Sequence, residues 1–303
     1  MRLALLALLA AVLPAHALDL QGHRGARGLA PENTLPAFAA ALSLGVDTLE
    51  LDVGVTRDGV VVVHHDRTLN PDITRGPDGR WLEGRGPAVH ALTFAELQRY
   101  DVGRLREGSD YARGFPEQAA VDGARVPRLA DVFALVRRAG NERVRFNIET
   151  KISEQAPAET LPPAAFARAL IAEIRRGGMA ARSTIQSFDW RTLAVVQAEA
   201  PEIPVVHLSF TRPPARAEGL PGKVKAAGGR TWSPNFAALD AALLREARAL
   251  GLQVVVWTVN EPADIEGMLA LGVDGIISDR PDRVREALRR RGLPLPPETP
   301  VRP

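Results

Sequence analysis

Residues 143–187 read RVRFNIETKISEQAPAETLPPAAFARALIAEIRRGGMAARSTIQS. Arg143 to Glu149 reads as a strand. A Pro-rich connection follows, then Ala164 to Arg176 with the spacing of an amphipathic helix, a glycine at Gly177, and a second strand from Ser183 to Ser187. One strand, one helix and one returning strand form the unit from which parallel α/β sheets are built.

The same unit recurs along the chain. Further strands are predicted at Leu18 to Gly22, Asp47 to Val53, Ile203 to Leu208, Arg230 to Ser233, Gln253 to Thr258 and Gly275 to Ser278. Helices are predicted at Leu35 to Leu44, Leu129 to Ala139, Trp190 to Ala200, Ala241 to Leu250, Ala263 to Leu271 and Asp282 to Arg291. Gly45, Gly140, Gly177, Gly251, Gly272 and Gly292 stand where left-handed helix caps belong. Strand then helix, repeated eight times over roughly 270 residues, is the pattern of a (β/α)₈ TIM barrel. A doubly wound open sheet is the alternative, but no Gly-x-Gly-x-x-Gly turn follows the first strand.

A small insertion, about residues 67–126, separates the second and third barrel strands. Val60 to Val63 reads as a hairpin return after Asp58-Gly59, and the Gly-, Pro- and Arg-rich excursion after it suggests a cap over the active face. The barrel domain then runs over 18–291, and the Pro-rich residues 292–303 read as an unstructured tail.

The 303 residues are 46% hydrophobic and 24% charged, enough apolar material for one large core. A net charge of +2 with no long basic run argues against nucleic-acid binding. Cysteine is absent, so any metal must sit on oxygen or imidazole. Arg2, the apolar run Leu3 to Leu13 and the small-x-small site Ala15-His16-Ala17 have the order of a signal peptide, residues 1–17. The reading is an exported protein, periplasmic or secreted, with no integral membrane segment once the leader is removed. Its oligomeric state is not legible.

Barrel enzymes of this kind collect their chemistry at the C-terminal strand ends. Here the first strand ends in Gly22-His23-Arg24-Gly25, the second in Glu50-Leu51-Asp52-Val53, and the third in Glu149-Thr150-Lys151. Period-two alternation puts Glu50 and Asp52 on one face and Glu149 and Lys151 on one face. If both faces look into the barrel, three carboxylates converge. Like charges in a partly dry pocket raise one another's pKa or recruit a cation, and an oxygen-only cluster suits a hard divalent ion such as Ca²⁺ or Mg²⁺. His23 and His65 can supply an acid and a base near neutral pH. His64 and His65 point to opposite sides, so one of them faces the site; His90 and His207 read as structural.

His23-Arg24-Gly25, Pro31-Glu32-Asn33-Thr34, Glu50-Leu51-Asp52-Val53, Thr56-Arg57-Asp58-Gly59 and His65-Asp66 together resemble the glycerophosphodiester phosphodiesterase family. Ile148 to Lys151, Gln186-Ser187-Phe188, Trp257 to Asn260 and Val273 to Asp279 continue the resemblance in the same order, from about Gln21 to Asp282. It implies a small-molecule glycerophosphodiester substrate hydrolysed to glycerol 3-phosphate and an alcohol, with one divalent cation. By motif, Glu50, Asp52 and Glu149 become metal ligands and His23 and His65 the catalytic pair. Arg24 and Lys151 hold phosphate oxygens, Trp257 lines the glycerol pocket or packs in the core, and Glu32 and Asn33 join the substrate-binding group in a supporting or metal-adjacent role. Asn33 and Thr34 also suit an N-cap for the helix carrying Pro36. A lipid phosphodiesterase of the phospholipase D or sphingomyelinase D type and a non-catalytic exported phosphodiester-binding protein remain the alternatives.

Overall fold

The computed structural model describes residues 18–211, 217 and 219–303; the predicted leader lies outside them. In chain order the elements are β1 (Asp19–Gly22), α1 (Leu35–Leu44), β2 (Thr48–Val55), β3 (Val61–Val63), α2 (Phe94–Leu97), α3 (Asp110–Arg113), α4 (Leu129–Arg138), β4 (Arg145–Thr150) and α5 (Pro163–Arg176). There follow β5 (Ser183–Ser187), α6 (Trp190–Glu199), β6 (Val205–Ser209), α7 (Leu220–Ala226), β7 (Thr231–Pro234), α8 (Ala241–Ala249), β8 (Gln253–Val256), α9 (Pro262–Leu271), β9 (Gly275–Ser278) and α10 (Pro281–Arg290). Because β1 pairs in parallel with both β2 and β9, the sheet closes on itself. The result is the (β/α)₈ barrel, with β3 hung antiparallel on the far end of β2. Closure excludes the open doubly wound sheet.

Alternation along the strands divides the barrel into two chemistries. Leu49, Leu51, Phe146, Ile148 and Ile185 are fully buried and belong to the core shared with the helices. Phe133 of α4 meets Phe146 of β4 edge to face, with ring centroids 4.9 Å apart. The intervening residues are polar. Asn147 Nδ2 donates to Gln21 Oε1 at 2.9 Å and to Gln186 Oε1 at 3.0 Å, and Gln186 Nε2 donates to Glu50 Oε1 at 2.7 Å. These amides satisfy one another as buried polar groups must, and they form a floor under the carboxylates.

The segment between β3 and α4 has a small core of its own around Val62, Leu69, Val89, Leu97, Val102 and Val126. His90 Nδ1 meets the Val55 carbonyl at 3.0 Å, the structural role expected of it. The helix α7 has no counterpart among the predicted helices: its seven residues, LPGKVKA, hold one proline, one glycine and two lysines and show little helical periodicity. The expected left-handed cap at Gly177 falls one residue later, since Gly177 has φ −70° while Gly178 has φ +65°. The tail after α10 has no helix or strand, yet it is fastened rather than loose. Thr299 N donates to Leu42 O at 2.8 Å, and the buried Arg285 reaches the Gly45 and Pro296 carbonyls at 2.8 and 2.7 Å. Main-chain carbonyls meeting a buried guanidinium do the fastening, which composition alone does not reveal. No helix among the described residues is long and apolar enough to cross a membrane.

Replacing Phe146 with alanine should leave a cavity between barrel and α4 and lower unfolding free energy by about 3–5 kcal/mol. Urea denaturation of the two proteins measures the difference; a loss below about 1 kcal/mol would contradict the packing described.

Candidate active site

The first chemical residues come from the β1–α1 loop. Thr34 caps α1, its Oγ1 accepting from Ala37 N, and Pro36 lies in the first turn. Asn33 is not the cap. It and Arg24 have φ of +55° and +50°, an uncommon conformation for residues with a Cβ. The arginine is held there by its own N–H, which donates to Glu50 Oε2 at 2.9 Å, and by its carbonyl, which accepts from Asn33 N at 3.0 Å. Gly25, at φ +86°, leaves no room for a side chain, because a Cβ would lie 2.6 Å from the Ala37 carbonyl carbon. The loop thus folds back onto the end of β2.

Sheet register brings the acids together. Asp52 lies beside Glu149 across β2 and β4, and oxygens of Glu50, Asp52 and Glu149 lie within 4.8 Å of one another. All three are buried. Lys151 Nζ stands 2.8 Å from Glu149 Oε1 and 3.3 Å from Asp52 Oδ1, and Arg24 Nε stands 3.3 Å from Asp52 Oδ2. Burial, reinforced by the neighbouring carboxylates, pushes Glu50 well up and Glu149 up to about 7. At Asp52 burial acts the same way but is outweighed by Lys151, His65 and Arg24, which hold it well below the usual range. Asp52 Oδ1 and Arg24 Nε are buried without a hydrogen bond. An orphaned carboxylate oxygen amid three acids, and an orphaned guanidinium nitrogen beside it, are the features a cation and an anion would satisfy. The donor set, all hard oxygen, fits a divalent cation such as Ca²⁺ or Mg²⁺.

His23 and His65 reach the same cavity, about 190 Å³ in volume, together with Arg24, Glu149, Lys151 and Trp257. Each histidine is backed by a carboxylate: His23 Nδ1 meets Asp279 Oδ1 at 2.6 Å, and His65 Nδ1 meets Asp66 Oδ1 at 2.7 Å. Asp279 is held charged: burial opposes the charge, but Arg27 and His23 outweigh it. Asp66 is held charged too, its burial outweighed by His65. Each Nδ1 therefore donates, and each Nε2 is left with its lone pair. For His23 that nitrogen lies 3.8 Å from Glu50 Oε2. Burial lowers both imidazoles, His65 to about 4, so both are neutral at pH 7. His64 is buried on the other side of the chain and takes no part in the cavity wall.

Glu32 and Asn33 stand one layer behind. Asn33 Nδ2 donates to Asp52 Oδ2 at 2.9 Å, and Glu32 Oε1 accepts from Arg24 Nη1 at 2.8 Å. Trp257 lines the cavity with Nε1 donated to Ser233 O at 3.0 Å, and the half-exposed Phe188 meets it edge on at 5.3 Å. Sequence reasoning left out Arg27, Tyr111, Phe115 and the role of Asp279. Arg27 grips Asp279 through Nε and Nη2 at 2.8 and 3.0 Å, and its guanidinium lies 4.5 Å over the Phe115 ring. Tyr111 of α3 donates to Glu32 and receives Nη1 of both Arg24 and Arg27, at 3.4 and 3.3 Å. The insertion therefore braces the arginine loop from behind. For Asp279 the available signal was its place directly after the last barrel strand.

The family model for the glycerophosphoryl diester phosphodiesterase family matches residues 23–283. A glycerophosphodiester phosphodiesterase of Caldanaerobacter subterraneus subsp. tengcongensis is 30% identical over 273 residues, 89% of this chain and 97% of that protein. A crystal structure of a provisionally assigned glycerophosphoryl diester phosphodiesterase from Silicibacter pomeroyi aligns with TM-score 0.86 and 40% identity, covering 93% of this chain and 96% of the other. An Oleispira antarctica phosphodiesterase crystallised with the product sn-glycerol-3-phosphate aligns with TM-score 0.69 and 22% identity, covering 90% of this chain and 97% of the other.

The raised Glu149 gives a stability test. A group protonated in the fold up to about 7 but with an ordinary value of 4.5 when unfolded stabilises fully below the lower value. That stability is lost as pH rises through the upper one. The metal-free protein should melt at progressively lower temperature between about pH 5 and 8, and excess Ca²⁺ or Mg²⁺ should reverse the fall. Differential scanning calorimetry measures it; a melting temperature unmoved by either cation at pH 8 would contradict the cation site.

Proposed function

Because this chain belongs to the glycerophosphoryl diester phosphodiesterase family, we propose that it hydrolyses glycerophosphodiesters to glycerol 3-phosphate and an alcohol in the cavity bounded by His23, His65, Glu149 and Lys151. The observation that carries the reading is the pair of carboxylate-backed histidines facing one cavity beside a buried acidic triad. The product held by the Oleispira protein supports a substrate of that size. A binding protein would need neither dyad.

Glu50, Asp52 and Glu149 would hold one divalent cation. When bound, such an ion supplies Lewis-acid polarisation of a phosphoryl oxygen. The protein's own groups do the rest. Arg24, held by Glu32 through Nη1 and paired with Asp52 through Nε at 3.3 Å without a hydrogen bond, presents the rest of its planar fork to a non-bridging oxygen, and Lys151 adds a point charge. One neutral imidazole takes the proton of the attacking hydroxyl through Nε2; the other, having first bound a proton from solvent at Nε2, delivers it to the departing alkoxide, and exchange with water returns both rings to the neutral state. Asp279 and Asp66 fix each ring's orientation and stabilise the imidazolium that forms. Trp257 offers a flat apolar wall to the glycerol carbons. Residues 1–17, read as a leader, would direct the enzyme to periplasm or medium.

His23→Ala and His65→Ala should each lower kcat by about 10²–10⁴-fold while the circular dichroism spectrum stays that of the parent. Near-normal turnover in both variants would end the acid–base assignment.

A further inference from the structure

Beside the catalytic cavity lies a larger open groove of about 620 Å³, and the two share Glu149, Lys151 and Phe188 as a common wall. A phosphodiester has two arms. With phosphate at Arg24 and Lys151 and glycerol against Trp257, the second arm points across that shared wall into the groove.

We propose that this groove is the subsite for the departing alcohol, and that it selects uncharged, polyhydroxylated alcohols of the glycerol or inositol kind over ammonium-bearing ones. The inference rests on the phosphodiesterase reading and names the substrates within it. The charges in the wall carry it. Arg191 Nε donates to Asp189 Oδ1 at 2.8 Å and Arg191 Nη1 stands 3.6 Å from Glu154 Oε1. Arg67 Nε donates to Glu159 Oε2 at 2.9 Å, and Glu149 is met by Lys151. Among the described residues, then, each carboxylate in the groove wall already faces a cation. A quaternary or primary ammonium head would find no free negative charge there. Nor would it find an aromatic cage. Among the described residues the groove wall holds two aromatic side chains, Phe188 and Trp190; Trp190 packs on the His207 ring at 4.8 Å and gives its Nε1 to Leu208 O, which leaves the face of Phe188 alone where a cage needs several. Hydroxyl groups meet the opposite situation. Each guanidinium keeps N–H groups beyond those spent on its carboxylate, and each carboxylate keeps lone pairs, so paired ions offer alternating donors and acceptors.

The test uses the full chain supplied with divalent metal. Glycerol 3-phosphate release is measured from glycerophosphoinositol, glycerophosphoglycerol, glycerophosphocholine and glycerophosphoethanolamine, for the parent and for Arg191→Gln and Arg67→Gln. The parent should show kcat/KM about tenfold or more higher for the two polyol esters, the size expected from one or two hydrogen bonds to charged groups. In Arg191→Gln the polyol values should fall about tenfold while the choline value rises, since Asp189 and Glu154 lose their cation. Arg67→Gln should lower the polyol values and spare the choline one. General damage to the fold would lower all four together, so opposite movement distinguishes recognition from structure. Equal or reversed preference in the parent, or ratios unchanged in both variants, overturns the groove assignment alone. No release from any of the four esters overturns the phosphodiesterase reading and this proposal with it.

Discussion

Three carboxylates, on Glu50, Asp52 and Glu149, are buried with oxygens within 4.8 Å of one another, and much of the barrel's upper face is organised around that repulsion. Burying like charges is costly unless something opposes it. Lys151 and Arg24 oppose part of it, the Gln186 amide and the Arg24 N–H another part, and a proton retained on Glu50 or Glu149 part of the remainder. A divalent cation in place of that proton would relieve the repulsion more completely. The strained backbone at Arg24 belongs to the same arrangement. Its N–H must reach Glu50 while its guanidinium reaches Glu32 and Asp52, and a left-handed residue lets one amino acid do both.

Outward from the triad the polar groups are arranged in pairs. Asp279 is shared by His23, Arg27 and Asn260, so the last strand end holds the first strand's histidine. Asp66, itself accepting from Asn70 Nδ2 at 2.9 Å, does the same for His65. The insertion contributes through Tyr111 and Phe115, which lie behind Arg24 and Arg27 rather than over the opening. Apart from Arg67 in the groove wall, its contribution to the site is bracing.

What was legible in the sequence follows from local physics. Strand positions showed because β-rich runs alternate with amphipathic ones, and Glu50, Asp52, Glu149 and His23 showed because charges at barrel strand ends are expensive without a purpose. Thr34 and the Asp58-Gly59 turn are local signals of the same kind, and Gly59 does take φ +82°. Long-range partners were hidden. Asp279 is 256 positions from His23 and Tyr111 is 79 from Glu32, separations across which neither periodicity nor spacing carries information. The tail misled for a similar reason, because its anchorage depends on Arg285 and Leu42 rather than on its own composition. α7 was invisible because its seven residues, interrupted near the start by Pro221 and Gly222, span too few turns to show a helical period.

The central claim is that the acidic triad serves a cation needed for phosphodiester hydrolysis. Its most direct test is glycerol 3-phosphate release from glycerophosphoglycerol and glycerophosphoethanolamine by chelator-stripped full-length protein, before and after addition of Ca²⁺ or Mg²⁺. The account predicts no release from the stripped protein and restored release with one or both ions, lost again when Asp52 is replaced by asparagine. Release that is undiminished by stripping, or that Asp52→Asn leaves intact, would contradict it.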